Sequence, residues 1–192
     1  MAESRSAPLA WGLVLSYGAY GFGYIIPATF IPALAKQAID DPLVFGWAWP
    51  AFGAAAIAST LAAGMLNRWW GNRPIWIACQ LVLALGVAAP AIWPGMGGIL
   101  IASLCVGSTF VVITQVALQE ARVLAGGHAA RLMAALTAAF AAGQIAGPPF
   151  VSLWLAGGGT FDGALLVASA LTVIATLPLF ERRTHARSDA AA

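Results

Sequence analysis

Charge is what this sequence has least of. Asp, Glu, Lys and Arg together make up 8% of the 192 residues, nine basic and seven acidic, against about 25% in ordinary soluble proteins. So few charges cannot clothe a soluble surface of this size, which excludes a soluble enzyme, a disordered tail and a secreted scaffold. The net charge of +2 comes from too few groups to build a basic patch, so no nucleic-acid partner is expected. Two cysteines, Cys79 and Cys105, both lie inside apolar runs and read as small hydrophobes rather than a disulfide or a metal pair. Neither histidine, His128 or His185, falls inside an apolar run, and no carboxylate sits at the middle of one. An intramembrane serine protease needs a serine and a histidine within its helices. An aspartyl protease needs two buried aspartates, and a zinc site needs about three ligands. No enzyme activity, no metal and no cofactor are therefore expected. Glu120 reads as an interfacial charge that meets water or Arg122, with a proton or gating carboxylate as the alternative.

What the chain has in excess is apolar surface. Hydrophobic residues reach 61%, against roughly 45–50% in soluble proteins, and the mean hydropathy is +0.86. The apolar runs are continuous rather than alternating, which excludes a membrane β-barrel. A spanning helix needs about 20 residues. Six runs of that kind are predicted, at about 9–34, 45–66, 74–93, 99–118, 132–155 and 164–180. The first is too long for the apolar part of a cleavable signal peptide. The connections are short and rich in breakers: Asp40-Asp41-Pro42, Gly71, Pro94 to Gly98, Gly126-Gly127 and Gly157 to Gly159. Short loops join antiparallel neighbours. The expected fold is an all-α membrane protein, a six-transmembrane-helix bundle over 9–180 with tails 1–8 and 181–192.

Orientation follows from the basic residues. Six helices put Arg5, Arg68, Arg73, Arg122, Arg131, Arg182, Arg183 and Arg187 on one side, and Lys36 on the other beside Asp40, Asp41 and Asp162. Both termini are expected in the cytoplasm.

The interior offers uncharged polarity. The first run carries Ser16, Tyr17, Tyr20, Tyr24 and Thr29, interrupted by Gly18, Gly21, Gly23, Pro27 and Pro32. The tyrosines recur at spacings of three and four, so they share one helix face. Interrupted helices of this type mark transporter binding sites; a packing stripe or an interface belt is the alternative. The fourth run adds Ser108, Thr109, Thr114 and Gln115, the third Gln80 and the fifth Gln144. An amide in hydrocarbon must face the bundle or a cavity. Gly143 and Gly147 are four apart, which predicts a close helix contact. Pro148 and Pro149 follow, and predict a kink.

These motifs resemble the major facilitator superfamily of secondary transporters. Gly64-Met65-Leu66-Asn67-Arg68-Trp69-Trp70-Gly71-Asn72-Arg73 is similar to its signature loop, with Gly64, Leu66, Gly71 and Arg73 matching. Arg68 stands where the family usually has an acidic residue, which counts against a charge-relay gate in this loop. Gly143-Gln144-Ile145-Ala146-Gly147-Pro148 is similar to the Gly-xxx-Gly-Pro element of a fifth helix. The run from Tyr17 to Pro32 resembles the seventh helix of the YbfB/YjiJ-type branch, a poorly characterised bacterial group. The resemblance covers about 9–180 and implies the second, C-terminal six-helix half of a twelve-helix transporter in the bacterial inner membrane. It implies an alternating-access carrier of a small organic solute, with helices 1 and 4 lining a cavity that a second six-helix half or a homodimer partner closes. Tyr17, Tyr20, Tyr24, Thr29, Thr109, Gln115 and Gln144 are the expected substrate-lining residues. Gly64, Arg68, Gly71, Arg73, Gly143, Gly147 and Pro148 are the expected gating and structural ones. The alternatives are a non-transporting membrane interaction protein, a truncated product, or a homodimeric six-helix transporter. A nested three-plus-three repeat is not legible: Thr29-Phe30 and Thr109-Phe110 form too short a match.

Overall fold

The computed structural model describes residues 10–38 and 48–180, with side chains described except at 31–38, 48, 49, 51 and 66–68. The tails, Asp40, Asp41 and Pro42, the side chain of Arg68, and with the tails Arg5, Arg182, Arg183, Arg187 and His185, lie outside the described residues. Among the described residues there are six α-helices and no strand: α1 (Trp11–Ala38), α2 (Ala48–Trp70), α3 (Asn72–Ile92), α4 (Met96–Ala125), α5 (Ala129–Ala156) and α6 (Phe161–Ile174). Among the described residues four stretches are long and apolar enough to cross a membrane: Trp11–Phe30, Asn72–Ile92, Met96–Ala156 and Phe161–Leu179. The third contains both α4 and α5, and α2 supplies a shorter apolar stretch, Phe52–Met65. Large apolar side chains such as Ile57, Leu61, Leu85, Leu104, Ile145 and Leu153 cover the outside.

The helix ends follow local chemistry. The expected loop after Glu120 shrinks to the single turn Gly126–His128, because α4 continues to Ala125 through good helix formers. It stops where Gly126 turns to φ 49°, a left-handed conformation suited to glycine. Helix α5 runs on through Pro148 and Pro149, which leave the Gln144 and Ile145 carbonyls without their ladder donors. By contrast α6 ends at Ile174, and a short 3₁₀ turn, Leu177–Leu179, completes the predicted run. Pro178 lies inside that turn, and a proline disfavours α geometry in the residue before it.

Packing sorts the helices into two layers. In the front layer α2 packs on α4, α4 meets α1, and α1 packs on α5; behind them α3 packs on α4 and α6, and α6 on α1. Exchanging α1–α3 for α4–α6 carries the α1–α5 contact into the α4–α2 contact. The residues agree. Gly21 of α1 abuts the Phe140 carbonyl of α5, and Gly107 of α4 abuts the Phe52 carbonyl of α2. Three residues beyond each glycine stand Tyr24 and Phe110, whose rings stack on one another at 4.5 Å with 19° between planes. This register pairs Thr29 with Gln115, so the Thr-Phe match seen in the sequence is out of step with the fold.

All described arginines lie toward one end. Arg73 at the start of α3 binds Glu120 near the end of α4, and α4 leads through one turn into α5 and Arg131. Asp162 lies at the start of α6, whose other end is near the start of α3: Ser169 bonds Ala84, and Gln80 bonds Thr172.

Candidate functional site

The middle of the apolar stretch Trp11–Phe30 carries an aromatic cluster. Tyr17, Tyr20 and Tyr24 share a face of α1, as their spacing requires. Phe140 of α5 lies against all three, at centroid distances of 5.5, 5.0 and 6.4 Å. Such tilted ring contacts each add about 0.5–1.5 kcal/mol beyond burial. Phe140 reaches this place because α5 approaches α1 across glycines: Gly143 abuts the Gly18 carbonyl, and Gly147 abuts the Ile25 side chain. Trp76 of α3 closes the group from behind, edge-on to Tyr17 at 5.9 Å and 88°.

Burial divides the cluster in two. Tyr17 and Tyr20 are buried, Tyr20 at 0% exposure, while Tyr24, Phe110 and Phe140 are half-buried. The Tyr20 hydroxyl donates to the Phe110 carbonyl at 2.9 Å, and Thr114 Oγ1 lies 3.5 Å from it. Tyr20 thus ties α1 to α4 from inside the bundle. Tyr20→Phe should cost about 0.5–1.5 kcal/mol, the worth of one hydrogen bond, with the ring packing kept. Thermal unfolding in detergent measures this, and an unchanged midpoint would remove the tie.

The remaining expected lining residues separate. Gln144 is half-buried, one turn beyond Phe140 on the same helix face, with no hydrogen bond among the described residues. Thr109 is buried and donates into its own helix, to the Cys105 carbonyl at 2.7 Å. Thr29 is exposed and Gln115 half-buried; each follows its member of the Tyr24–Phe110 stack by five residues, which turns it away from that stack. Phe110, Phe140 and Trp76 are the members that sequence reasoning missed. Phe140 carried a signal, one large ring within Ala138-Ala139-Phe140-Ala141-Ala142.

Two polar networks flank the cluster. Behind it Gln80 bonds Trp76, Ser16 and the Thr172 carbonyl. At the arginine-bearing end Arg73 Nε donates to Glu120 Oε1 at 2.6 Å, and Asn72 Nδ2 to Glu120 Oε2 at 3.3 Å. The partner of Glu120 is Arg73, and not the expected Arg122: residues two apart on a helix do not face each other. Of the signature glycines, Gly71 adopts φ 74°, while a side chain at Gly64 would meet nothing among the described residues. Among the described residues no group of three or more His, Cys, Asp or Glu is placed to hold a metal ion.

Residues 1–179 match the family described as "Uncharacterised MFS-type transporter YbfB". No curated protein matches the chain. The matched family is one of transporters, generally without enzymatic activity. With its apolar helices and apolar exterior, the chain is an integral membrane protein that belongs to the YbfB family of major-facilitator-type transporters.

Proposed function

We propose that the chain is one half of an alternating-access transporter for a small organic solute, with all six helices crossing the bacterial inner membrane. At about 1.5 Å per residue, α4 and α5 are each long enough to cross a core of about 30 Å; α2 completes the even number that puts both termini in the cytoplasm. The observation that carries the reading is the half-buried amide of Gln144, one turn beyond the half-buried Phe140 whose ring meets Tyr24 of the Tyr24–Phe110 stack, with no hydrogen bond for the amide among the described residues. In hydrocarbon an unpartnered amide is costly. A second six-helix bundle closing over this face would give it a polar, solute-filled surrounding. The solute would lie against Tyr24, Phe110 and Phe140 and hydrogen-bond to Gln144, with Tyr17 and Tyr20 as the backing. Recognition would rest on stacking and hydrogen bonds, and ion coupling on the other half. Thr29, Thr109 and Gln115 stay outside this arrangement, so Thr29→Ala and Gln115→Ala should leave solute affinity unchanged.

The test is reconstitution in vesicles. The chain alone should give no concentrative uptake or efflux, and co-reconstitution with a matching six-helix half should restore it. Transport by the lone chain, with cross-linking showing only monomer, would overturn the reading. For orientation, Asp162→Cys should react with an impermeant thiol reagent from outside the cell and Arg131→Cys should not; the reverse pattern would invert the topology.

A further inference from the structure

Gln80 of α3 is fully buried, where an amide must find partners on all sides. Its Oε1 accepts from Trp76 Nε1 at 2.8 Å and from Ser16 Oγ at 3.3 Å, and its Nε2 donates to the Thr172 carbonyl of α6 at 3.1 Å. That last acceptor is free for a definite reason. In an unbroken α-helix the N–H four residues on, that of Thr176, would occupy it. Here the Thr176 N–H bonds the Val173 carbonyl at 2.9 Å, and the Thr176 hydroxyl bonds the same carbonyl at 2.7 Å. The chain then enters the short turn around Pro178. So α6 breaks inside the apolar stretch Phe161–Leu179, and Gln80 takes up the carbonyl that the break releases.

The other end of the amide reaches the candidate site. Trp76 stands edge-on to Tyr17 at 5.9 Å, and Ser16 precedes Tyr17 on α1. One side chain therefore touches the broken turn of α6, the indole that braces Tyr17, and the residue beside Tyr17. We propose that Gln80 is a positioning residue that couples the backbone state of α6 at Thr172–Thr176 to the orientation of Tyr17 in the aromatic cluster of α1. If Thr176 N–H turns back onto the Thr172 carbonyl, α6 gains an ordinary helical bond and Gln80 loses its acceptor. The amide must then turn, and it cannot do so while holding both the indole N–H and the Ser16 hydroxyl. The Thr176 N–H keeps one carbonyl partner in either arrangement, while the Gln80 amide holds the Thr172 carbonyl in only one of them; the arrangements are therefore discrete, the property a switching element needs. That Tyr17 backs a solute site rests on the transport reading; the coupling itself does not.

Direct contacts between the α6 segment and α1 must be separated from this route, because Gly23 of α1 abuts the Thr172 hydroxyl and Gly12 of α1 abuts Pro178. The sequence supplies a clean probe. It holds only three tyrosines, all in the cluster, so 3-fluorotyrosine labelling gives three ¹⁹F resonances, assigned by single Tyr→Phe variants. The full chain is studied in lipid nanodiscs without any solute, so the result is independent of whether the chain transports. Pro178→Ala restores a backbone donor and lets α6 continue as a helix. It should shift the Tyr17 resonance and leave Tyr24, which does not touch Trp76, nearly in place. In a Gln80→Met background the same Pro178→Ala change should leave Tyr17 where Gln80→Met alone puts it. Trp76→Phe, which keeps a ring and removes the N–H, should abolish the response in the same way and serves if Gln80→Met does not fold. An unmoved Tyr17 resonance in Pro178→Ala would overturn the proposal. So would a response that persists in Gln80→Met or Trp76→Phe, which would assign the coupling to the direct contacts of α1, Gly23 with Thr172 or Gly12 with Pro178.

Discussion

Gly143→Ala is expected to destabilise the chain strongly, while Gly64→Ala leaves it as stable as before or slightly more so. A methyl group on Gly143 would lie 2.8 Å from the Phe22 backbone nitrogen and closer still to the Gly18 carbonyl. Both neighbours belong to the backbone of α1 and cannot turn aside, so the helices must separate. Overpacking of a close contact costs about 1–3 kcal/mol, and here the loss should fall at the upper end. The same separation withdraws Phe140 from the three tyrosines. At Gly147 the obstruction is the end of the Ile25 side chain, which can change rotamer, so Gly147→Ala should cost less than Gly143→Ala. Gly64 has nothing among the described residues within 4 Å of the added methyl, and alanine is better than glycine in a helix by roughly 0.5–1 kcal/mol. Thermal unfolding of the three variants in one detergent orders them. Equal midpoints for Gly143→Ala and Gly64→Ala would show that α1 and α5 do not meet through these glycines.

The contrast shows what the sequence could carry. Helical class, the helix-bearing segments and the sharing of a face by the three tyrosines were legible, because each depends on local hydropathy and a 3.6-residue period. Helix ends were legible only where a glycine or proline sets them. The end of α4 lies later than hydropathy predicts, at Ala125, since the charges at Glu120 and Arg122 look like a loop although both residues favour a helix. The aromatic site was half legible. Tyr17, Tyr20 and Tyr24 announce themselves by spacing, but which of them stays half-buried depends on Phe140 and Phe110, brought in by α5 and α4. For Thr29, Thr109 and Gln115 the sequence offers polarity and a place on helices 1 and 4, but no face. The structure satisfies Thr109 within its own helix and turns the other two away from the Tyr24–Phe110 stack. The internal repeat was hidden for a related reason. Tyr24 corresponds to Phe110, and Phe140 to Phe52, pairs that conserve ring and place with little identity around them.

Arg73→Met is expected to be the most damaging change at the arginine-bearing end of the bundle. Arg73 and Glu120 have side chains exposed by only 21% and 13% and meet at 2.6 Å. Their contact joins the first turn of α3 to the last turns of α4. It anchors the α2–α3 connection, where Arg68 replaces the acidic residue usual in the resembling family. Removing the guanidinium leaves a carboxylate in poorly hydrated surroundings, held by Asn72 Nδ2 at 3.3 Å. A lost hydrogen bond to a charged group is worth roughly 1.5–3 kcal/mol, and partial exposure keeps the penalty from reaching that of a fully buried pair. Glu120→Gln should cost less, because a neutral amide oxygen still accepts from Arg73 and leaves no stranded anion. Glu120→Arg sets two cations side by side and should cost more than Glu120→Gln. Combining Glu120→Arg with Arg73→Glu should recover much of that loss, since the attraction is restored with its ends exchanged. The measurement is a double-mutant cycle of unfolding midpoints in one detergent. Additive losses in the cycle, with no recovery in the exchanged pair, would mean that the contact between Arg73 and Glu120 contributes nothing to holding α3 against α4.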